Sequence, residues 1–576
     1  MLEAKKFNNS IKADLLKCSL FLIGLILLFL ITPFYHQANR GGSGFEITFN
    51  IPVWVIASWI IAASVLLVIN NKQFIYPQKW IYFLIFPVIV IIGGLVTEIG
   101  QPIVWLFRQM YLLGGLLFLF ALFQFQPRQK IIDQVLFVLV LATGLHALLG
   151  TMQMNTPELL SSWFPLNRDF VPRGMFQQIN VHASFLATGL IVTLYVISRP
   201  SFRTSSLIVK AIVVISFTLS IYVIVASGSR VGLLSLLLSI PLIVWCRCKQ
   251  LRPQKKLLLV LLVLSCCSFG AGYAGLDRTV DKTFKLTENA YASARVAMYT
   301  IGLELVAEQP VQGYGVGGFL KAWNEQAPDF SSRHPEITLP DFVPHPHNET
   351  LLWMVEGGLP AFIGILAIIV GISLALISTG FQRGGAYAAM LIPISLHTQV
   401  ELPFYSSSVH WFLWLFLIFL VLRHQTRTVD VHLSQAATRL IQVVTITFAV
   451  GVTAFMVNTA RAQADLYRFS HDKNLQPPYL QVAMNNLYYK PVAEELAMRV
   501  MLYTSIENKD YVRVELFESW AKQFIQVRPA IKIYEELILA SDFLRPEGKG
   551  CDAIEAGLAM YPLNKKLQQQ ASTHCN

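Results

Sequence analysis

Apolar runs long enough to cross a hydrocarbon core of about 30 Å recur through most of this chain, and nothing constrains its fold more. They alternate with short polar turns. Of the 576 residues, 54% are hydrophobic and 14% are charged, against about 25% charged in a soluble domain. The pattern predicts an all-α polytopic membrane protein with about thirteen transmembrane helices of roughly 20 residues each. Leu16–Tyr35 reads as a true span, because no small-residue cleavage site follows it.

The formal net charge is +11. The basic residues are spread over short turns and no basic–aromatic cluster is present, so the pattern fits the positive-inside bias and not nucleic-acid binding. Lys5, Lys6, Lys12 and Lys17 place the N-terminus in the cytoplasm; Arg247, Lys249, Arg252, Lys255 and Lys256 mark the strongest inside turn. Arg128 and Lys256 read as snorkelling side chains. Thirteen spans then put the C-terminus outside. The expected divisions are 1–275 (spans 1–9), 276–347 (a large outside loop), 348–458 (spans 10–13) and 459–576 (a soluble helical domain on the outside). In the last division VAEELAMRVMLYTSI and DYVRVELFESWAKQFI read as amphipathic helices in antiparallel pairs, with Pro477, Pro478, Pro491, Pro529 and Pro546 as punctuation.

Cys18, Cys246, Cys248, Cys266 and Cys267 sit in or beside apolar spans and read as small packing residues. Cys551 and Cys575 lie alone in the final stretch. In an oxidising compartment they are expected to pair.

Ionisable and amide side chains gather on the outside face. Arg173, Gln178, Asn180 and His182 stand at the mouth of span 6, and Arg230 stands in the turn between spans 7 and 8. Arg295 opens a loop helix. His345, His347, Asn348 and Glu349 stand at the mouth of span 10, and Glu401 and Tyr405 at the mouth of span 12. Outside arginines run against the positive-inside bias, and an anionic diphosphate would account for them, because guanidinium binds phosphate oxygens in pairs. Arg230 and Arg295 are the main candidates; Arg168 and Arg278 read as surface charges. His347 is the first choice for a general base, with His345 in reserve. A metal held by these two histidines with His334, Asp341 or Glu349 lacks the usual ligand spacing, so no metal is expected. The run Gly313-Tyr-Gly-Val-Gly-Gly318 follows a helix and not a strand, which excludes a dinucleotide fingerprint. It reads as a tight turn whose backbone can approach the membrane surface or an anion.

Three motifs in this order carry a family resemblance: ASGSR ending at Arg230; R-x-x-x-Y-x-x-x-L-x-x-x-x-x-x-P-x-x-G-Y-G-x-G from Arg295; and HNETLLWMVEGG from His347. Together they resemble the O-antigen ligase and polymerase superfamily. GMFQQINVHASFL, ELPFY and the trailing helical domain look like those of its bacterial protein O-oligosaccharyltransferases, the pilin glycosylation ligases. The resemblance implies an inner-membrane enzyme with a periplasmic active site. Such an enzyme moves an oligosaccharide en bloc from undecaprenyl diphosphate to a Ser or Thr hydroxyl of an exported, pilin-like protein, without metal or cofactor. It implies that Arg230 and Arg295 hold the diphosphate and that His347 activates the acceptor. It also implies that Gln178, Asn180, Glu401 and Tyr405 line the pocket; Arg173, His345, Asn348 and Glu349 stand beside them. Ligation to lipid A core and polymerisation of glycan repeats are the alternatives within the superfamily. A lipid-linked glycan transporter is the alternative outside it, disfavoured because no internal symmetry is found and the polar groups gather at one face.

Overall fold

The structure is a computed structural model, and it describes residues 2–97, 99–165, 169–277, 280, 290–337, 339–340, 343–472, 478–546 and 550–575, with side chains from residue 14 onward save those of 290–293 and 574. Arg168, Arg278, Asp341 and Pro477 lie outside the described residues.

A helix stands at every position where a span is expected. In chain order they are α1 (Leu2–Ile26, extended by a π turn to Ile31), α2 (Asn50–Asn71), α3 (Ile81–Val96), α4 (Pro102–Gln124), α5 (Gln129–Asn155), α6 (Ile179–Ile197), α7 (Leu207–Ser227), α8 (Arg230–Leu251) and α9 (Lys255–Ala271). Helices α10 (Ala290–Glu308) and α11 (Phe319–Arg333) occupy the long polar interval. The series resumes with α12 (Glu349–Thr379), α13 (Phe381–His397), α14 (Ser408–Leu422) and α15 (Gln435–His471). Five more complete the chain: α16 (Lys490–Glu507), α17 (Tyr511–Val527), α18 (Ile531–Leu544), α19 (Cys551–Met560) and α20 (Lys565–His574).

Two expectations change. Among the described residues nine stretches, not thirteen, are long and apolar enough to cross a membrane by length and composition. Helices α8 and α9 form one of these stretches, divided at Arg252–Gln254. Helices α3, α13 and α14 have 16, 17 and 15 residues. At about 1.5 Å per residue they fall short of a 30 Å core. The fold is also not purely α. Strands β1 (Gln73–Pro77) and β2 (Thr426–Asp430) pair antiparallel, with Gln73 opposite Asp430 and Pro77 opposite Thr426. Each strand alone reads as a polar turn, because the pairing that makes it a strand lies far away in the chain.

The chain forms two compact units, each drawn from separate segments. The first comprises 1–85, 111–282 and 367–460. Its centre is α6, which is buried along almost its whole length and packs on α5, α7, α8 and α13. Small residues allow these approaches: Gly189 faces Thr143, Gly144 faces Ser216, and Gly232 faces Ala183. Several buried hydroxyls bond within their own helices, as when Thr143 donates to the Leu139 carbonyl (2.7 Å) and Ser235 to that of Val231 (2.6 Å). Polar contacts tie its turns into two groups. One holds the β ribbon, the Arg199–Asp133 ion pair (3.1 Å), Arg247 on Ser198 (3.0 Å) and Arg423 on the Pro127 carbonyl (3.1 Å). The other holds the candidate residues described below.

The second unit comprises 86–110, 283–366 and 461–576. Helices α10 and α11 are pinned by Arg333, which donates to both oxygens of Glu304 (3.0 and 2.8 Å). That guanidinium holds the Glu304 carboxyl below its ordinary value. Helices α16 to α20 pack consecutively around Phe517, Tyr534, Ile538 and Ile554. Arg499 and Tyr503 both bond the buried Glu536 carboxylate (2.9 and 3.1 Å), and Cys551 and Cys575 form a disulfide with Cα atoms 5.6 Å apart. These helices are not a loose appendix to their unit: α19 packs on α11, and Tyr488 meets the Phe107 ring edge-on at 5.0 Å.

Candidate active site

In the first unit the span 6 segment is shaped by its backbone. Gln177 adopts a left-handed conformation (φ 60°), and Gln178 caps α6, its carbonyl accepting the His182 N–H at 3.0 Å. Gln153 holds the turn before it, accepting from the Gly174 N–H (2.7 Å) and donating to the Gly174 carbonyl (3.3 Å). His182, placed by sequence among the polar groups of this mouth, is fully buried and faces the carbonyls of Pro172 (2.8 Å) and His146 (3.1 Å). It is spent on the fold. Arg173 forms a partly exposed ion pair with Asp169 at 2.7 Å.

Asn180 and Arg230 are brought to one place. The Ser229 hydroxyl donates to Asn180 Oδ1 at 2.9 Å and caps α8 by accepting the Gly232 N–H at 3.3 Å. Gly228, left-handed at φ 64°, turns the chain tightly into that cap. The first turns of α6 and α8 therefore stand side by side, with half-buried Arg230 opening the second. Free N–H groups at helix N-termini favour an anion, and a guanidinium beside them adds to that field.

Glu401 and Tyr405 belong to the same group of turns. The Glu401 N–H donates to the His397 carbonyl (3.0 Å), and the next helix start is fixed by Asn50, which donates to Ser406 O (3.1 Å) and accepts from the Ser408 N–H (2.8 Å). Below them lies a hydrogen-bonded chain that the sequence did not announce. Ser407 meets His410 Nδ1 (2.9 Å), His410 Nε2 meets Ser184 (3.2 Å), and Ser184 meets His397 Nδ1 (2.8 Å). This chain ties the ends of α6, α13 and α14 together.

The second unit places the other candidates. Asn348 caps α12, its Oδ1 accepting the Leu351 N–H at 2.9 Å. His347 sits just before it with φ 51°, a left-handed conformation uncommon outside glycine, though His is among the residues that adopt it more often. Its ring lies 4.4 Å from that of His345, edge to face, and both are half-buried. Glu349 is buried in the first turn. Half-buried Arg295 lies on α10, and α10 packs on the start of α12 where Gly302 meets Leu351. Arg295 stands two turns earlier on that helix, about 10 Å along its axis. His334, considered as a metal ligand, instead pairs with Glu336 at 3.3 Å. Among the described residues no three His, Cys, Asp or Glu side chains are grouped for a metal.

The glycine-dense turn packs on the backbone of α12. A Cβ on Gly313 would lie 2.6 Å from the Val355 carbonyl oxygen, and one on Gly358 2.5 Å from that of Val311. Gly358, at φ 66°, breaks α12 at this contact. Two charged side chains were also overlooked: Arg108 of α4 and Glu356 of α12 form an ion pair, with Glu356 buried. The available signal was one charge inside each apolar run, which by itself suggests a working group.

Residues 215–366 match the family model described as O-antigen ligase, and residues 386–575 match the model described as virulence factor membrane-bound polymerase, C-terminal. The first range includes Arg230, Arg295 and His345–Glu349; the second includes Glu401 and Tyr405. Arg173, Gln178 and Asn180 fall outside both. No curated protein matches the chain. The two matches indicate a multi-pass membrane enzyme of the O-antigen ligase and polymerase type.

Proposed function

We propose that this protein transfers an oligosaccharide en bloc from an undecaprenyl-diphosphate donor to a Ser or Thr hydroxyl of an exported, pilin-like protein at the periplasmic face of the bacterial inner membrane. The observation that carries the reading is the Ser229–Asn180 contact, which sets two helix N-termini beside Arg230. Such a place suits a diphosphate.

In the reaction, the acceptor hydroxyl oxygen attacks the anomeric carbon while its proton passes to the imidazole of His347. The bond from that carbon to the phosphate oxygen breaks, and the diphosphate leaves with the electron pair. Arg295 and Arg230 take up its charge. His345 packs on the His347 ring and orients it; Gln178, Asn180, Glu401 and Tyr405 meet the glycan and acceptor. The basic turns that share a group with the β ribbon face the cytoplasm in this orientation.

The second matched model favours another reading, in which the acceptor is a glycan repeat. Co-expression with a lipid-linked glycan pathway and a candidate pilin, followed by intact-mass measurement, decides between them. A glycan-sized mass shift on the pilin is expected. Lengthened glycan chains with an unmodified pilin would establish the polymerase instead.

A further inference from the structure

Three separate segments of the second unit meet at Glu356. From α4, Arg108 pairs with its carboxylate and rests over the Trp353 ring, 5.9 Å from its centroid. From the glycine-dense turn, Gly313 packs directly against the backbone at Glu356, where a Cβ would lie 2.7 Å from the Glu356 carbonyl carbon. The turn is then stitched to α12 on either side of Glu356. Tyr314 N–H donates to the Val355 carbonyl (2.9 Å) and Leu359 N–H to that of Pro310 (2.8 Å). Gln101, just before α4, closes the circuit by donating to the Gly317 carbonyl at 2.9 Å.

The places these stitches join give them a purpose. Pro310 stands two residues past the end of α10, the helix of Arg295. Phe319 opens α11, which leads to the segment holding His345 and His347. Glu356 lies two turns into α12, whose cap follows His347. A carboxylate at this crossing controls the register between the helix of the arginine and the helix of the histidine. An isolated buried carboxylate is costly, and the guanidinium of Arg108 beside it offsets part of that cost.

We infer that Glu356 is a positioning residue for glycan transfer, locked by Arg108, and that it holds the glycine turn so that Arg295 and His347 keep their relative placement. The inference rests on the transferase reading above. It uses the two charged groups and the glycine run that the reaction itself leaves unassigned.

The test combines amide hydrogen exchange with steady-state transfer on the full-length protein in nanodiscs, using a lipid-linked glycan donor. In the unaltered protein the Tyr314 and Leu359 amides, bonded on either side of Glu356, exchange slowly, as hydrogen-bonded amides do. In Glu356→Ala their exchange speeds up by about tenfold or more. Its kcat falls about 100-fold, as a misplacement of around 1 Å can cause. Its KM for the donor moves by less than about threefold, because the lost term belongs to the transition state. Since Glu356→Ala strands Arg108, the double variant R108M/E356L serves as the second arm. Replacing a buried ion pair by apolar residues is commonly tolerated. It accumulates like the unaltered protein, yet shows the same faster exchange and the same kcat loss. Free exchange of both amides in the unaltered protein overturns the inference, as does full kcat in R108M/E356L. Exchange as expected with no transfer by the unaltered protein sinks the transferase reading, and the positioning role with it.

Discussion

Two sets of histidines, one in each unit, look alike in the sequence and differ in burial and in backbone conformation. His146, His182, His397 and His410 are fully buried in the first unit. The His146 ring stacks between Phe34 (4.6 Å) and Phe176 (4.7 Å), and the other three bond to backbone carbonyls or to serines. His345 and His347 are half-buried, touch each other, and sit on a backbone strained at His347. Strain at a non-glycine residue costs of order 1–3 kcal/mol and persists only where the surroundings impose it. The contrast teaches that an imidazole's surroundings, and not its place beside an apolar run, set what it can do. The first set is enclosed within the fold. The second is only half-buried.

The contrast breaks most visibly at His347. His347→Ala and Arg295→Ala should each lower transfer by about 10²–10³-fold, the usual cost of one transition-state donor. Both should accumulate in the membrane normally. Intact-mass analysis of the acceptor against membrane abundance measures this; normal transfer by either removes its assigned role. A control involves neither set. Cys551→Ser or Cys575→Ser opens a disulfide that closes a sequence separation of 24 residues. It should destabilise α16 to α20 by about 3 kcal/mol on chain-entropy grounds. Limited proteolysis with and without reductant reads this, and transfer per folded molecule should hold.

His182→Ala tests the committed set. At least one buried carbonyl, of Pro172 or His146, loses its donor, at about 1–3 kcal/mol. Thermal midpoint and accumulation should fall, while transfer per folded molecule changes much less than for His347→Ala. A loss of turnover with unchanged stability would erase the distinction between the sets. Arg173→Ala removes a partly exposed pair and should cost about 0–1 kcal/mol of stability. The smallest effect is one of pH. Arg333 holds the Glu304 carboxyl below its ordinary value. The pin between α10 and α11 is therefore fully present above the ordinary Glu range, about 4.3, and is lost as pH falls through the lowered folded value. Exchange of the α11 amides should stay flat from neutrality to about pH 5 and rise below it.

Much of the fold was legible because it is local. An apolar run of the required length forms a helix whatever its neighbours are, and α5, α6 and α7 fall where their hydropathy places them. The amphipathic α16 and α17 were legible from their spacing for the same reason. The candidate site was less so. Arg230 and Asn180 were named separately, but their meeting through Ser229 depends on how α6 and α8 pack. The position of His182 at a helix start is visible in sequence, but its carbonyl partners are not. Arg108 and Glu356 were passed over because each looks like a stray charge until the other, 248 residues away, is beside it.

By itself the amino-acid sequence determined that this chain enters a membrane, where its helices lie, and which polar residues are costly enough there to need a purpose. Those properties come from the transfer free energy of each segment and require no partner. Only the tertiary structure decided which polar groups are consumed by the fold, which charges neutralise one another, and what the glycine turn is pressed against. Such contacts join residues from distant parts of the chain, and the close packing of helices selects them.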